Sequence, residues 1–423
     1  MMNAMRIGFS KSDITPPLGT ELGGYAGYRP SSGVHDPLLC KTVVLEQEGG
    51  RHALIVLDLL CVDEALYLRI ADAVAELGIK KERLIVSAIH THASPRGVIP
   101  GEGELAKVNS SSAPKDPAFI DYMQKVIEAA SDACRRAVES LECFQVRTAR
   151  GALPNVGSER HTGAAPKGEL TVLQCRTESG KLLTVYNFPC HPTVMSAANL
   201  QVSADFAAGI EELLGADLAV FVNGAAGDIS TRFTRRESSF AECQRMGRIA
   251  AEQIQNVISD VPFEDPEPIR GIHTTITLNA RQVESPEEAE KRLEELTAQW
   301  KAAQARGADA AMVRTLKSYA EGAGLNLQFA RTMGDLRQLH LPVTVFRFCG
   351  MDFATVPGEL FSALQPENLS IIGYANGYYR YIGGEDAYEA NYYEALAAII
   401  ARGEGEQLVK KIEEFRQHLN QNN

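Results

Sequence analysis

The sequence lacks the features of a secreted or membrane-spanning protein. Its most apolar stretch, HALIVLDLLCV, is short and contains Asp58, whereas a helix that spans a bilayer needs about 20 apolar residues. The first residues, MMNAMRIGFSKSDITPP, have no apolar segment of the secretory type. The eight cysteines are scattered and form no CxxC pair, which argues against a disulfide framework and a thiolate zinc site. We therefore expect a cytoplasmic protein with no stable membrane attachment.

An excess of positive charge is also missing. The chain has 42 basic and 54 acidic residues, a formal net charge of -12, whereas nucleic acid is bound by clustered Lys and Arg. We therefore expect no nucleic-acid partner. The motifs HExxH, GxSxG and GxxxxGK[ST] are absent as well, which argues against a zincin, an α/β-hydrolase and a P-loop protein.

Short β-rich runs alternate with helical segments over most of the 423 residues. The pattern predicts strands over 41–47, 52–58 and 83–89, a long helix over about 117–141, and two amphipathic helices at the end of the chain. This alternation predicts an α/β fold, with a mixed or largely parallel sheet as the core and helices on its flanks. Neither a repeat nor a low-complexity linker divides the chain, so we predict a single large domain over residues 1–423.

One charged segment, residues 285–322, departs from this alternation. Ser285 is followed by Pro286 and, three residues after the serine, by Glu288, which is the pattern of a capping box at a helix start. We predict two helices that break near Gly307 and form a hairpin inserted between strands. The hairpin could serve as a lid, as a wall of a site or as an oligomer contact, so formation of a homo-oligomer stays open.

Residues of metal-ligand type follow three predicted strands. The run IVSAIHTHASP ends on His90 and His92, which point to the same face because residues i and i+2 of a strand do so. His191 and Glu359 also come directly after apolar runs, and the carboxyl ends of strands are where α/β proteins bind ligands. Each residue has a structural alternative, such as a hydrogen-bonded core histidine or a favourable charge at a helix start. Their coincidence favours a metal site, since imidazole is the commonest metal ligand.

Two other segments have side chains suited to catalysis. In FVNGAAGDISTR, a buried strand leads through small residues to Asp228 and Ser230, and small residues let the backbone approach a ligand closely. Ser230 could be a nucleophile, a substrate-binding group or part of an ordinary turn. Seven of the thirteen tyrosines lie within residues 373–395, where they could pack, line a pocket or bind a metal.

Seven motifs occur in an order that resembles the catalytic N-terminal domain of the neutral (neutral/alkaline, non-lysosomal) ceramidase family, whose members are zinc-dependent amidases that cleave N-acylsphingosine. The likeness runs from about residue 6 to residue 396, outside the hairpin. The motifs are GFSKSDITPP…GGYAGY, GVHDPL, SAIHTHASP, NFPCHPTV…SADFAAGI, NGAAGDIS, VPGELF and NGYYRYIGGEDAYEANYYEA.

The resemblance implies a role for each matched residue. It implies a Zn²⁺ cofactor bound by His90, His191, Glu359 and Tyr381. Four further residues would be catalytic: His92 beside the reacting carbonyl, Ser230 as the serine assigned to catalysis, Tyr393 in contact with the scissile amide, and Arg160 as a loose match to a family arginine.

These roles imply zinc-assisted attack of water on an amide carbonyl. His92 or Tyr393 would help to stabilise the developing oxyanion, and His92 is a candidate to protonate the leaving amine. Ser230 would orient the water or the carbonyl, or would attack directly, and the sequence leaves these alternatives open.

Two departures from the family pattern bear on the substrate. First, the chain resembles a short form without the C-terminal immunoglobulin-like domain of lipid-acting members. Second, the family motif HTHSGPGG is replaced by HTHASPRG in this sequence, which puts Arg96 near the metal. A charge there suits a polar or anionic substrate better than ceramide. We therefore predict hydrolysis of a small soluble N-acyl amide. The alternatives are a genuine ceramidase and a catalytically degenerate ligand-binding module of the same fold.

Overall fold

Two β-sheets form the centre of the molecule, which is given by a computed structural model that describes residues 5–106, 108, 116–334 and 336–421. The strands are β1 (Arg6–Asp13), β2 (Gly33–Val34), β3 (Leu39–Gln47), β4 (Gly50–Leu57), β5 (Ile79–Ala88), β6 (Glu142–Gly151), β7 (Ser158–Glu159), β8 (Leu170–Thr177), β9 (Leu182–Phe188), β10 (Gln201–Val202), β11 (Leu218–Asn223), β12 (Ile229–Ser230), β13 (Arg270–Asn279), β14 (Gln338–Phe348), β15 (Met351–Thr355), β16 (Glu359–Leu360), β17 (Leu369–Ile372) and β18 (Tyr381–Ile382). The helices are α1 (Glu64–Val74), α2 (Pro117–Glu139), α3 (Phe206–Leu214), α4 (Phe240–Ile258), α5 (Pro286–Ala305), α6 (Ala310–Thr332), α7 (Glu385–Glu389), α8 (Tyr393–Leu396) and α9 (Glu404–Gln421).

The larger sheet is mixed, which confirms the predicted α/β class. Its strand order is β11-β9-β8-β6-β1-β3-β4-β5, and the pairs β4–β5 and β9–β11 are parallel while the other pairs are antiparallel. The smaller sheet has the order β13-β14-β15-β17, with β15–β17 parallel. A cavity of about 420 Å³, lined by aliphatic and aromatic side chains of both sheets, lies between them.

The long predicted helix is α2, and its sequence explains its ends and its packing. Asp116 caps the helix by accepting a hydrogen bond from the Ala118 amide, and Pro117 occupies the first turn. Buried Phe119, Met123 and Val126 follow at helical spacing, so one stripe packs on β1 and β3. No helix among the described residues is both long enough and apolar enough to cross a bilayer.

Asp58, the acidic residue within the apolar stretch HALIVLDLLCV, is buried and has a charged partner. Its carboxylate oxygens lie 2.8 Å and 3.0 Å from Nζ of the fully buried Lys41, which also forms an ion pair with Glu211. Asp58 is therefore a structural residue and takes no part in the metal centre.

The predicted hairpin is present as α5 and α6, and the second helix extends ten residues beyond the predicted end at 322. Ser285 and Glu288 form the capping box, with 3.3 Å from the Glu288 amide to Oγ of Ser285 and 3.1 Å from the Ser285 amide to the Glu288 carboxylate. Gly307 sits in the break with a φ of +65°. The α6 helix forms one wall of the cavity described below.

The end of the chain differs from the prediction of two amphipathic helices. Only α9 is a long helix, since α7 and α8 have five and four residues. Asn391 separates them with a φ of 53°, in the left-handed region that ends a helix. Tyr392 and Tyr393, next to Asn391, line the cavity described below.

Candidate metal centre

Two strand ends bring His90 and His191 together. Beyond β5, the Ile89 and His90 amides continue the ladder by donating to carbonyls of Leu57 and Leu59, at 3.1 Å and 3.0 Å. Beyond β9, the His191 amide donates to the Ile229 carbonyl at 3.0 Å. The two imidazole centroids lie 4.6 Å apart, and both residues are buried.

Asn223, at the end of β11, ties these two strand ends to each other. Its side-chain amide donates to the carbonyls of Ile89 and Cys190 at 2.9 Å and 3.0 Å, and its carbonyl accepts from the Cys190 amide at 3.2 Å. These two residues directly precede His90 and His191. The fully buried Asn223 is therefore a positioning residue for both histidines.

Each of these histidines has one ring nitrogen occupied by a backbone carbonyl. Nδ1 of His90 lies 2.6 Å from the Leu60 carbonyl, and Nδ1 of His191 lies 3.0 Å from the Ile229 carbonyl. Because a carbonyl only accepts, Nδ1 carries a proton in both rings. Burial, together with the Arg160 charge, lowers the pKa of His191 to about 3, so its Nε2 presents a lone pair at neutral pH.

Glu359 faces the two Nε2 atoms. Its Oε2 lies 3.1 Å from Nε2 of His191 and 3.4 Å from Nε2 of His90.

Neither Oε2 of Glu359 nor Nε2 of His191 has a hydrogen-bond partner, although both are buried. Two buried lone pairs that face each other are unfavourable unless a cation lies between them. Two imidazoles and one carboxylate are a donor set of catalytic zinc sites, so these residues fit a zinc ion.

Two features hold Glu359 in place. One is the short parallel strand pair to which it belongs, and the other is the close packing of the Gly227 backbone against the Glu359 backbone. In the pair β16–β18, Glu359 lies opposite Tyr381, and the Tyr378 hydroxyl donates to Oε1 of Glu359 at 2.5 Å. A Cβ atom on Gly227 would lie 2.4 Å from the Glu359 carbonyl oxygen, so only glycine fits there.

Tyr381 lies in a network with Arg160. The Arg160 guanidinium is 3.5 Å from the Tyr381 hydroxyl and 3.0 Å from Glu394, whose other oxygen is 3.2 Å from His161. Burial, with a further contribution from the Glu359 charge, raises the pKa of Tyr381 well above its ordinary value. The phenol is therefore protonated as long as no cation approaches it.

His92 lies beside the pair rather than within it. Its Nε2 is 3.4 Å from Nε2 of His90, and nitrogens of His90, His92 and His191 lie within 4.8 Å of one another, so these three could also hold a metal. Nδ1 of His92, however, is buried without a partner, whereas metal-binding imidazoles usually donate their other N–H. Gly24 makes room for the ring, because a Cβ there would lie 2.4 Å from it.

The residues predicted from the sequence surround one cavity of about 710 Å³. Ser230 is a β-bridge partner of His191, and the ring centroid of Tyr393 is 6.1 Å from that of Tyr381. His191 is fully buried behind the cavity wall. The other seven line the cavity: His90, His92, Arg160, Ser230, Glu359, Tyr381 and Tyr393.

Sequence reasoning missed several residues of the site, among them Asn223 and Arg380. Tyr374 stacks on His90 with 4.2 Å between ring centroids, and Tyr378 binds Glu359. His90, Tyr374 and Arg380 all have positive φ angles, of 68°, 54° and 58°, an uncommon conformation that concentrates at functional sites. The cluster of tyrosines in residues 373–395 was the signal available, but it did not indicate which ones approach the metal centre.

The model of the family described as "Neutral/alkaline non-lysosomal ceramidase, N-terminal" matches residues 5–296, more than half of the chain. The chain belongs to this ceramidase family. The resemblance carried by the seven motifs is thereby confirmed.

Solved ceramidase structures share the fold. The neutral ceramidase from Pseudomonas aeruginosa is 18% identical, with a TM-score of 0.74, and the match covers 99% of this chain and 75% of that chain. A ceramidase complexed with C2 is 16% identical, with a TM-score of 0.73, over 99% of this chain and 76% of that one. No curated protein matches the chain. At these identities the ceramidase structures establish the fold alone.

Proposed function

We propose that this chain is a zinc-dependent hydrolase that cleaves the linear amide bond of a small, polar N-acyl compound. One observation carries the proposal. Nε2 of His191 and Oε2 of Glu359 are buried, face each other without a hydrogen-bond partner, and lie at the cavity of the ceramidase fold. Membership of the ceramidase family supports amide hydrolysis as the reaction.

His90, His191, Glu359 and Tyr381 would hold the zinc ion. Zinc supplies a Lewis acid for a carbonyl and lowers the pKa of water to about 7. The hydrogen bonds from Nδ1 of His90 and His191 orient the rings toward that position, and Arg160 stabilises negative charge on the Tyr381 oxygen.

The catalytic side chains that we assign lie around the same position. Burial keeps the pKa of His92 well below its ordinary value, so its ring is neutral, and we assign to it the transfer of a proton to the leaving amine. Tyr393 is a phenol donor for the carbonyl oxygen. Ser230, beside His191, orients the substrate or attacks its carbonyl.

The lining of the cavity supports a polar substrate. Among its described residues, the only branched aliphatic side chains are Leu60 and Leu325, whereas α6 contributes Thr315, Ser318 and Glu321. A long acyl chain needs a continuous apolar wall, because burying it against charged groups leaves them without solvent. Six of the described tyrosines also line the cavity, but charged and hydroxyl side chains lie among them, so we expect a short acyl group.

Ceramide is the second candidate substrate, because both solved relatives described above are ceramidases. A third reading, a binding module without activity, would be favoured by a broken ligand set, and all four proposed ligands are present.

The test is a comparison of kcat/KM between a short N-acyl amino acid and short-chain and long-chain ceramides, all presented in detergent to the zinc-loaded protein. We expect the N-acyl amino acid to be hydrolysed at least tenfold more efficiently. A clear preference for long-chain ceramide would overturn the substrate and leave the reaction intact. Turnover of no amide would contradict both and favour the binding module.

A further inference from the structure

Positive charge dominates the described wall of the candidate active site. Its acidic residues are Glu321, Glu359 and Glu394, and Glu359 faces the metal position. Its basic residues are twice as many: Arg96, Arg160, Arg232, Arg235, Lys317 and Arg380.

Most of these cations have identifiable partners. Arg160 forms an ion pair with Glu394 at 3.0 Å, and Lys317 lies 3.5 Å from Glu321. Arg235 donates to the carbonyls of Thr193 and Val194. The exposed Arg232 donates to the Arg160 carbonyl at 3.4 Å.

Arg96 and Arg380 differ from the others, since neither forms a hydrogen bond or an ion pair with a side chain or carbonyl of the described residues. Arg380 is only 9% exposed, and its Nε is buried without a partner. Its guanidinium lies over the Phe329 ring, 5.1 Å from the centroid, which stabilises the cation without accepting its N–H groups. Arg380 also has a φ of 58°, so its backbone is held in an unfavourable conformation.

Both guanidinium groups belong to the wall of the same cavity, where Arg96 is half-buried and Arg380 is almost fully buried. Two unpaired cations at one wall are costly, and an anion that binds there would remove the cost. Guanidinium groups suit this role because they bind a carboxylate or a phosphate in a bidentate manner.

Both arginines are adjacent in sequence to the metal centre. Arg380 directly precedes Tyr381, and its carbonyl accepts from the Glu359 amide at 2.8 Å. Arg96 lies four residues beyond His92 and lines the same cavity. An anion bound by them would therefore lie in the same cavity as an amide at the metal position.

We propose that Arg96 and Arg380 form an anion subsite that binds a carboxylate or phosphate-like group of the substrate next to the bond that is cleaved. The substrate class is then an N-acyl amine with an anionic group close to its amide, as in an N-acyl amino acid. The inference rests on the proposed function for the position of the amide, but the anion subsite itself can be tested without turnover.

Binding to the metal-free protein by isothermal titration calorimetry tests the anion subsite. The probes are N-acetylglycine, its neutral analogue N-acetylglycinamide, and N-acetylaminomethylphosphonate, which distinguishes a carboxylate preference from a phosphate preference. We expect one of the two anions to bind at least tenfold more tightly than the neutral amide. Arg380→Gln and Arg96→Gln should each abolish most of this difference, while Arg380→Lys should restore only part of it.

Lys317→Gln is the matched control, because Lys317 lines the same wall but has its own partner in Glu321. It should leave the preference for the anion unchanged. Equal affinity of the wild type for the charged and neutral probes would overturn the anion subsite, and so would a preference that survives both arginine variants. Circular dichroism of each variant separates loss of binding from loss of folding. Failure of the metal-loaded protein to cleave any amide would overturn the proposed function and leave the binding result standing.

Discussion

At the metal centre, the hydrogen bonds of each imidazole distinguish a ligand from its neighbour. His90 and His191 donate from Nδ1 to backbone carbonyls, whereas Nδ1 of His92 is buried without a partner. Second-shell hydrogen bonds of this kind orient an imidazole and raise its basicity as a ligand. We therefore assign the metal to His90 and His191 and proton transfer to His92.

This assignment predicts different metal contents for three variants. His90→Ala and His191→Ala should reduce bound zinc from about one ion per chain to almost none, since a catalytic site has few protein ligands to lose. His92→Ala should keep most of the metal. Elemental analysis of proteins purified without added metal makes the comparison. If His92→Ala empties the site as completely as His90→Ala, the ligands are instead the three histidines.

The contacts of Glu394 predict that the free energy of unfolding depends on pH. Burial raises the pKa of this carboxyl, but His161, 3.2 Å away, and the charge of Arg160 outweigh burial and lower the pKa from 4.5 to about 2. Because the folded pKa is below the unfolded one, the stabilisation is fully present above about pH 4.5. It is lost as the pH falls towards 2, and it amounts to about 3 kcal/mol.

Glu394→Gln should remove this dependence. Urea unfolding of both metal-free proteins between pH 2 and pH 6 should show that the wild type loses about 3 kcal/mol more than the variant as the solution becomes acidic. Parallel curves for the two proteins would contradict the assigned contacts.

At the scale of strands and turns, the site depends on close approaches between segments that are distant in sequence. Gly227 packs against the Glu359 carbonyl, and the Gly227 amide donates to Leu360 at 2.8 Å. A side chain at Gly227 would push β16 away and move Glu359.

Gly227→Ala should therefore weaken zinc binding at least tenfold and destabilise the fold by about 1–3 kcal/mol. Gly33→Ala is a suitable control, because a Cβ there meets only Gln201 at an ordinary distance of 3.6 Å. Zinc titration and urea unfolding give both quantities. Normal zinc affinity in Gly227→Ala would show that the position of Glu359 does not depend on this approach.

The strands also show how much of the fold and of the site could be predicted from the sequence. The apolar runs predicted β4 as 52–58 and β5 as 83–89, and the observed strands are Gly50–Leu57 and Ile79–Ala88. The buried parts were predicted because they are rich in branched residues, whereas the exposed, charged start of β5 was missed. The two-residue strands β16 and β18 have no such run. Asn223 and Arg380 were also beyond sequence reasoning, since their roles depend on which segments meet around them.

For the molecule as a whole, we predict no stable attachment to anionic membranes, because the charge of -12 opposes binding to anionic lipid. In a flotation assay with vesicles of phosphatidylcholine and phosphatidylserine, the protein should stay in the bottom fraction. Salt-insensitive flotation would contradict this and would restore ceramide as the leading substrate.

The zinc-dependent hydrolysis of an amide is tested most directly by removing and restoring the metal in one preparation. The protein is stripped with a chelator, its zinc content is measured, and turnover of a short N-acyl amino acid is followed as zinc is added back. We predict negligible turnover in the stripped protein and full recovery at about one zinc ion per chain. Turnover that persists without metal, or that zinc at this stoichiometry does not restore, would contradict the account.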